Sequence, residues 1–292
     1  MLMMMVQCMI NLFMVLISVA FFSLFERKFM SVSQSRLGPN KVGAFGFFQP
    51  FSDMLKLFSK TESSPQNSIS LAYYIAPTFT LMISLMVWIL LPIKWMIWST
   101  PISMMTVLFY FSISVYGVIV VGWFSNSKYG ILGSVRAAAQ SISYEVGLTM
   151  SMVIVIMSIS NLNLMKIMEI NSAENLFFSF LFLSLILGVI LLAETNRAPF
   201  DLAEGESDLV SGFNVEYGGI SYSFIYMSES VALLWVSMIW SSIFFDKAFM
   251  VVVMLFVLFR MAFPRNRFDK VMDLFWLSLL PITLSLMGVY VV

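Results

Sequence analysis

The sequence predicts an all-α integral membrane protein: about eight transmembrane helices plus an interfacial amphipathic helix, folded as a single bundle over residues 1–292. Three observations carry that prediction. The chain is 60% hydrophobic and only 11% charged, with a mean hydropathy of +0.92, whereas a soluble domain is about 45–50% apolar and about 25% charged. Apolar runs close to the roughly 20 residues that cross a bilayer as a helix recur along the chain. Lysine and arginine are sorted between alternate connections instead of being spread evenly. A β-barrel would show alternating segments of about ten residues, and none is visible.

Taken in order, the spans fall at 2–24, 71–92, 101–123, 142–160, 175–194, 223–243, 248–263 and 271–291, the seventh being short. The N-terminus has neither a basic leader nor an Arg- and Ser-rich transit pattern, so the first run is expected to stay as a span. Eight spans put both termini on one side. The loops on that side carry Lys94, Lys166 and Lys247; the other thirteen lysines and arginines lie opposite. Dropping one helix would scramble that split. The positive-inside rule places the basic loops in the cytoplasm or its equivalent, the mitochondrial matrix. Carboxylates follow the same side, with only Glu169, Glu174 and Asp246 beside the termini.

The first connection, 25–70, contains a further helix at about 44–60. At 100° per residue Gln49, Asp53, Lys56 and Lys60 share an arc of about 60°, while Phe45, Phe48, Phe51, Leu55 and Phe58 take another sector. Such a helix lies in the membrane interface; a cytosolic helix packed on the bundle is the plainer reading. RLGPNKVG at 36–43 precedes it as a turn.

Absences narrow the chemistry. There is no histidine and one cysteine, Cys8, so no metal or haem is expected through imidazole, and no iron–sulfur cluster or internal disulfide on this chain. No nucleophile–base pair, glycine-rich phosphate loop or dinucleotide fingerprint is present, and no nucleic-acid partner is expected.

What remains is carboxylate and guanidinium at one membrane edge. Residues 194–217, ETNRAPFDLAEGESDLVSGFNVEY, hold six of the sixteen carboxylates and one base, Arg197. Within the acidic loop at about 195–222, Asp201, Glu204, Glu206 and Asp208 crowd together after Glu194. Like charges this close raise one another's pKa in a low dielectric, which suits proton relay. A solvated acidic loop and a metal loop stay open as alternatives, although DLAEGESD lacks the calcium-loop order. Glu145 stands just inside span four and Glu229 about one turn into span six; intramembrane acids are functional candidates unless a helix dipole or partner accounts for them. Glu26, at the end of span one, has Arg27 and Arg36 as its nearest candidate partners. Arg260 and the basic FPRNRFDK at 263–270 serve topology, dock an acidic partner or line a polar entrance.

Four blocks carry a resemblance: ERKFMSVSQSRLGPNKVGAFGFFQPFSDMLKLFSK, SKYGILGSVRAAAQSISYEVGL, AETNRAPFDLAEGESDLVSGFNVEYGG and FRMAFPRNRFDKVMDLFWLSLLPITL. In these, and in their order over essentially the whole chain, it resembles the chain 1 family of the proton-pumping NADH:ubiquinone oxidoreductase, respiratory complex I. The lean length and Met- and Phe-rich composition are similar to the mitochondrially encoded form. The resemblance implies a subunit of the mitochondrial inner membrane at the heel of the membrane arm, forming much of a ubiquinone-access tunnel. It implies Glu145, Glu194 and Glu229 in an acidic proton path, with Asp201, Glu204 and Glu206 between that path and the quinone cavity. It implies Glu26, Arg27, Arg36, Asp53, Arg197 and Arg265 along the tunnel and its mouth, where helix 44–60 lies. NADH, FMN and the iron–sulfur clusters would then belong to partner subunits. Expected partners are the hydrophilic-arm quinone-site subunits, small membrane subunits, antiporter-like subunits, ubiquinone and lipid. A homologous subunit of a membrane-bound hydrogenase-type complex and a stand-alone proton-coupled transporter are the alternatives. The transporter predicts inverted repeats, and no internal repeat is found.

Overall fold

The structure is a computed structural model that describes residues 2–62, 64–66, 68–90, 101–203, 205, 212–245 and 248–291. Helix α1 is Leu2–Ser33, followed by a 3-10 turn at Ala44–Gly46 and α2 at Gln49–Ser59. Next come α3 (Ser70–Val87), α4 (Ser103–Ser125), α5 (Lys128–Ile159) and α6 (Leu164–Glu174). Then follow α7 (Leu176–Ser179), α8 (Leu181–Glu194), α9 (Gly219–Phe244) and α10 (Phe249–Ala262). The last helix is α11 (Phe268–Asp273), a π turn (Leu274–Leu279) and α12 (Leu280–Val291) in succession. No strand occurs among the described residues.

Six of these helical stretches are long and apolar enough to cross a membrane, and Leu181–Glu194 and Phe249–Ala262 are shorter apolar helices. The expected spans are thus present as helices, but their ends differ. α1 continues to Ser33 instead of ending at 24, so Glu26 and Arg27 sit on a continuous helix. α5 begins at Lys128 instead of 142, because Ser127 caps it by accepting a hydrogen bond from the Gly130 amide at 3.1 Å. Glu145 therefore lies about five turns into its helix and Glu229 about three turns into α9. The expected span 175–194 is broken: Asn175 adopts a left-handed conformation (φ 51°) and Phe180 interrupts again. The amphipathic segment forms helix only from Gln49. Gly43 and Gly46 take positive φ before it, and Pro50 opens the first turn.

α9 is the axis of the bundle. Its most apolar stretch is 78% buried, against 28% for α1 and 22% for the C-terminal helix, and it packs on α1, α3, α6, α8 and α10. Its serines satisfy their own hydroxyls: Ser237 donates to the Leu234 carbonyl at 2.6 Å and Ser242 to Ile239 at 2.8 Å. Close packing on α8 depends on Gly188, where a Cβ would fall 2.4 Å from the Trp240 ring. Trp240 in turn stacks on Phe256 of α10, with centroids 5.4 Å apart. Phe45, Phe48, Phe51 and Phe58, in α2 and the turn before it, are exposed.

Candidate functional site

The segment after α8 turns sharply because its residues permit it. Thr195 closes the helix, Asn196 takes φ 49°, a conformation asparagine tolerates, and the Ala198–Pro199 peptide is cis. Gln140 of α5, fully buried, fixes both ends of this turn: its Nε2 donates to the Ala193 carbonyl at 2.8 Å and to Phe200 at 2.9 Å. The Asn266 amide donates to the Pro199 carbonyl at 3.0 Å, tying the turn to the FPRNRFDK stretch.

The turn aims Arg197 inward. Its Nη1 donates to both oxygens of Glu26 on α1, at 3.1 and 3.2 Å, and Arg260 from the last turn of α10 donates to the same carboxylate. Glu26 is only 4% exposed. Burial works against the charge on Arg197, yet the Glu26 carboxylate and, beyond it, Glu229 outweigh that, so its pKa lies above the ordinary arginine value. Removing one partner of such a buried pair costs about 3–5 kcal/mol. Sequence proximity had offered Arg27 and Arg36 as partners for Glu26. Instead Arg27 pairs with Asp53 of α2 at 2.8 Å, with Gln49 donating to the other Asp53 oxygen at 2.9 Å. Arg36 lies apart, its Nε donating to Gln34 at 2.9 Å. Asp201, 8% exposed, pairs with Arg265 at 3.3 Å. Glu204 and Glu206, with Asp208, lie outside the described residues.

On the other side of the turn, Glu194 and Glu229 line one cleft between α3, α4 and α9. Glu145 is the charged neighbour acting on Glu194. Oε2 of Glu194 and Oδ1 of Asn196 are buried and accept no hydrogen bond. Glu145 and Glu229 lie well along their helices, whereas Glu194 is the last residue of α8.

Several residues essential to this geometry carry weak signals in sequence. Gln140 is one polar residue among the alanines and serines of AAAQSIS. Glu62 accepts from both the amide and hydroxyl of Ser221, at 2.9 and 3.1 Å, across the start of α9. Tyr73 and Tyr217 stack with centroids 4.4 Å apart; Tyr73 donates to the Glu216 carbonyl at 2.6 Å and Tyr217 to Val121 at 2.8 Å. Burial and then Tyr73 raise the Tyr217 pKa, keeping the phenol a donor. Together they moor the far end of the acidic loop to α3 and α4.

The fold and site define a class: a polytopic α-helical membrane protein whose interior holds ion-paired charges beside a carboxylate-lined cleft. The family model for NADH dehydrogenase matches residues 6–291. The NADH-ubiquinone oxidoreductase chain 1 of Artemia franciscana is 44% identical over 287 residues, covering 95% of this chain and 94% of that protein. Those of Aedes aegypti and Patiria pectinifera are 42% and 38% identical, each covering 90% of the relative and 93% and 95% of this chain. The chain belongs to the NADH dehydrogenase family.

Proposed function

We propose that the chain is the membrane subunit of mitochondrial respiratory complex I that forms much of the ubiquinone-access tunnel and couples quinone reduction to proton translocation. The observation that supports this reading is the double use of one short turn. Residues 194–201 supply Arg197 and Asp201 to ion pairs on one side and Glu194 to the cleft on the other. Glu26, Arg27, Asp53, Arg197 and Arg265 line the tunnel and its mouth, with Arg36 further out. Asp201, Glu204 and Glu206 pass the electrostatic change to Glu194, Glu145 and Glu229. The long basic loops face the matrix and both termini face the intermembrane space.

Reducing the quinone to quinol takes two electrons and two protons. The electrons come from iron–sulfur clusters of partner subunits, fed by NADH and FMN there. Proton uptake changes the charge felt by Asp201 and Arg197, and the rigid turn held by Gln140 transmits that change to Glu194. The test is Glu194→Gln in a tractable homologue carrying the matching residues. Quinone reductase turnover and proton translocation are both expected to fall; wild-type values for both would overturn the assignment. Native purification is the companion test: the chain should co-migrate with flavin, iron–sulfur proteins and rotenone-sensitive NADH oxidation.

A further inference from the structure

Lys28 follows Glu26 and Arg27 on α1. Successive residues of a helix point about 100° apart, so Arg27 and Lys28 leave α1 in different directions. They meet two parts of one segment. Arg27 pairs with Asp53 of α2 at 2.8 Å. Lys28 Nζ donates to the Phe45 carbonyl at 2.6 Å, in the turn before α2, and lies 5.2 Å from the centre of the Phe47 ring, within reach of a cation–π contact. The carbonyl it holds belongs to a residue in an unfavourable conformation. Phe45 takes φ 56° and ψ 21°, the left-handed region that a bulky side chain seldom enters. Phe45 is 72% exposed, so burial of its ring does not offset the backbone cost. The loop is also folded closely on itself: a Cβ on Gly46 would fall 2.2 Å from the Pro39 carbonyl oxygen. From this turn the chain runs directly into α2. The Phe47 amide donates to the Ala44 carbonyl at 3.3 Å and the Ser52 amide to Phe48 at 3.1 Å. Gln49, the first residue of α2, donates to Asp53 at 2.9 Å. The place where α2 begins thus sets where Asp53 meets Arg27, and Lys28 holds the turn that fixes that place.

We propose that Lys28 is a positioning residue for quinone entry: it holds the Phe45 turn in its left-handed shape and so keeps Asp53 against Arg27 at the mouth. This rests on the reading of Arg27 and Asp53 as mouth residues and adds the residue that places them. Lysine suits the task because an ammonium on a flexible stem reaches a carbonyl and a ring face together. Methionine keeps most of the stem and loses both contacts.

The test reads KM and kcat for decylubiquinone on the assembled complex of a tractable homologue carrying the matching residues. Lys28→Met should raise KM about fivefold and leave kcat within about twofold of wild type, the pattern of a lost binding interaction. Adding Phe45→Gly to that variant should return KM to within about twofold of wild type, because glycine takes positive φ without steric cost. A contact that merely supported the fold would not be repaired by removing a further ring. If Lys28→Met fails to assemble, Phe45→Val replaces it with Lys28 intact: a β-branched residue opposes positive φ, so KM should rise in the same way. Unchanged KM in Lys28→Met, or in Phe45→Val where it stands in, overturns the proposal, as does a raised KM in Lys28→Met that Phe45→Gly does not restore. Arg27→Gln measured beside them separates the two readings. If it raises KM and Lys28→Met does not, only the role of Lys28 falls; if neither raises KM, the mouth reading falls with it.

Discussion

On one side of the turn at 194–201, carboxylates are held by guanidinium groups: Glu26 by Arg197 and Arg260, Asp201 by Arg265. On the other side, Glu194 and Glu229 face a largely apolar cleft, and one Glu194 oxygen is buried without a hydrogen bond. In the first group, direct ion pairs tie α1, α10 and the basic stretch after it to the turn. In the second, Glu194 lies among apolar side chains and Glu229 interacts with Arg197 across a longer distance. Carboxylates a few residues apart in sequence are thereby given different surroundings by the direction in which one turn sends their side chains.

That contrast can be broken from either side. The largest effect is expected for Glu26→Ala, which strands two arginines and should destabilise the subunit by about 3–5 kcal/mol, read as loss of assembled complex. Glu194→Gln removes no ion pair and should leave assembly intact while lowering turnover. Equal assembly losses in the two variants would erase the distinction. Gln140→Leu should cost about 1–3 kcal/mol by removing the two hydrogen bonds that tie α5 to the Ala193 and Phe200 carbonyls, measured as faster thermal inactivation, with turnover falling more than assembly if the turn transmits charge. Arg27→Gln removes a half-exposed pair with Asp53 and should change stability by only about 0–1 kcal/mol. Its effect should appear, if the mouth reading holds, as a raised KM for quinone.

The pH dependence sharpens the comparison further. The raised Arg197 pKa means its stabilising contribution is complete below the ordinary arginine value and is lost only as pH rises through the higher folded one. Between pH 6 and 9 the knot should therefore stay closed. Thermal inactivation of the complex across that range should show no step that Arg197→Lys abolishes.

Much of the helical order was legible because long apolar runs leave few alternatives in a lipid-soluble chain. Helix ends were not. Charge was read as the limit of a span, yet Glu26, Arg136 and Glu145 lie within continuous helices because the bundle itself supplies partners or shelter. The same limit hid the true partners of Glu26. Arg197 and Arg260 are 171 and 234 residues away in sequence, and no local pattern encodes that meeting. Asn175 belongs to a residue type enriched in left-handed turns, yet at the start of an apolar run it was read as the beginning of a span, and the break before α8 was missed. The signature blocks supplied the site residues by resemblance; their pairing came only from the fold.

The short α8 has one more consequence. Its 14 residues rise about 21 Å, against a hydrocarbon layer of about 30 Å. α8 alone therefore does not reach across such a layer, and Glu194, its last residue, sets an ionisable group where the helix stops.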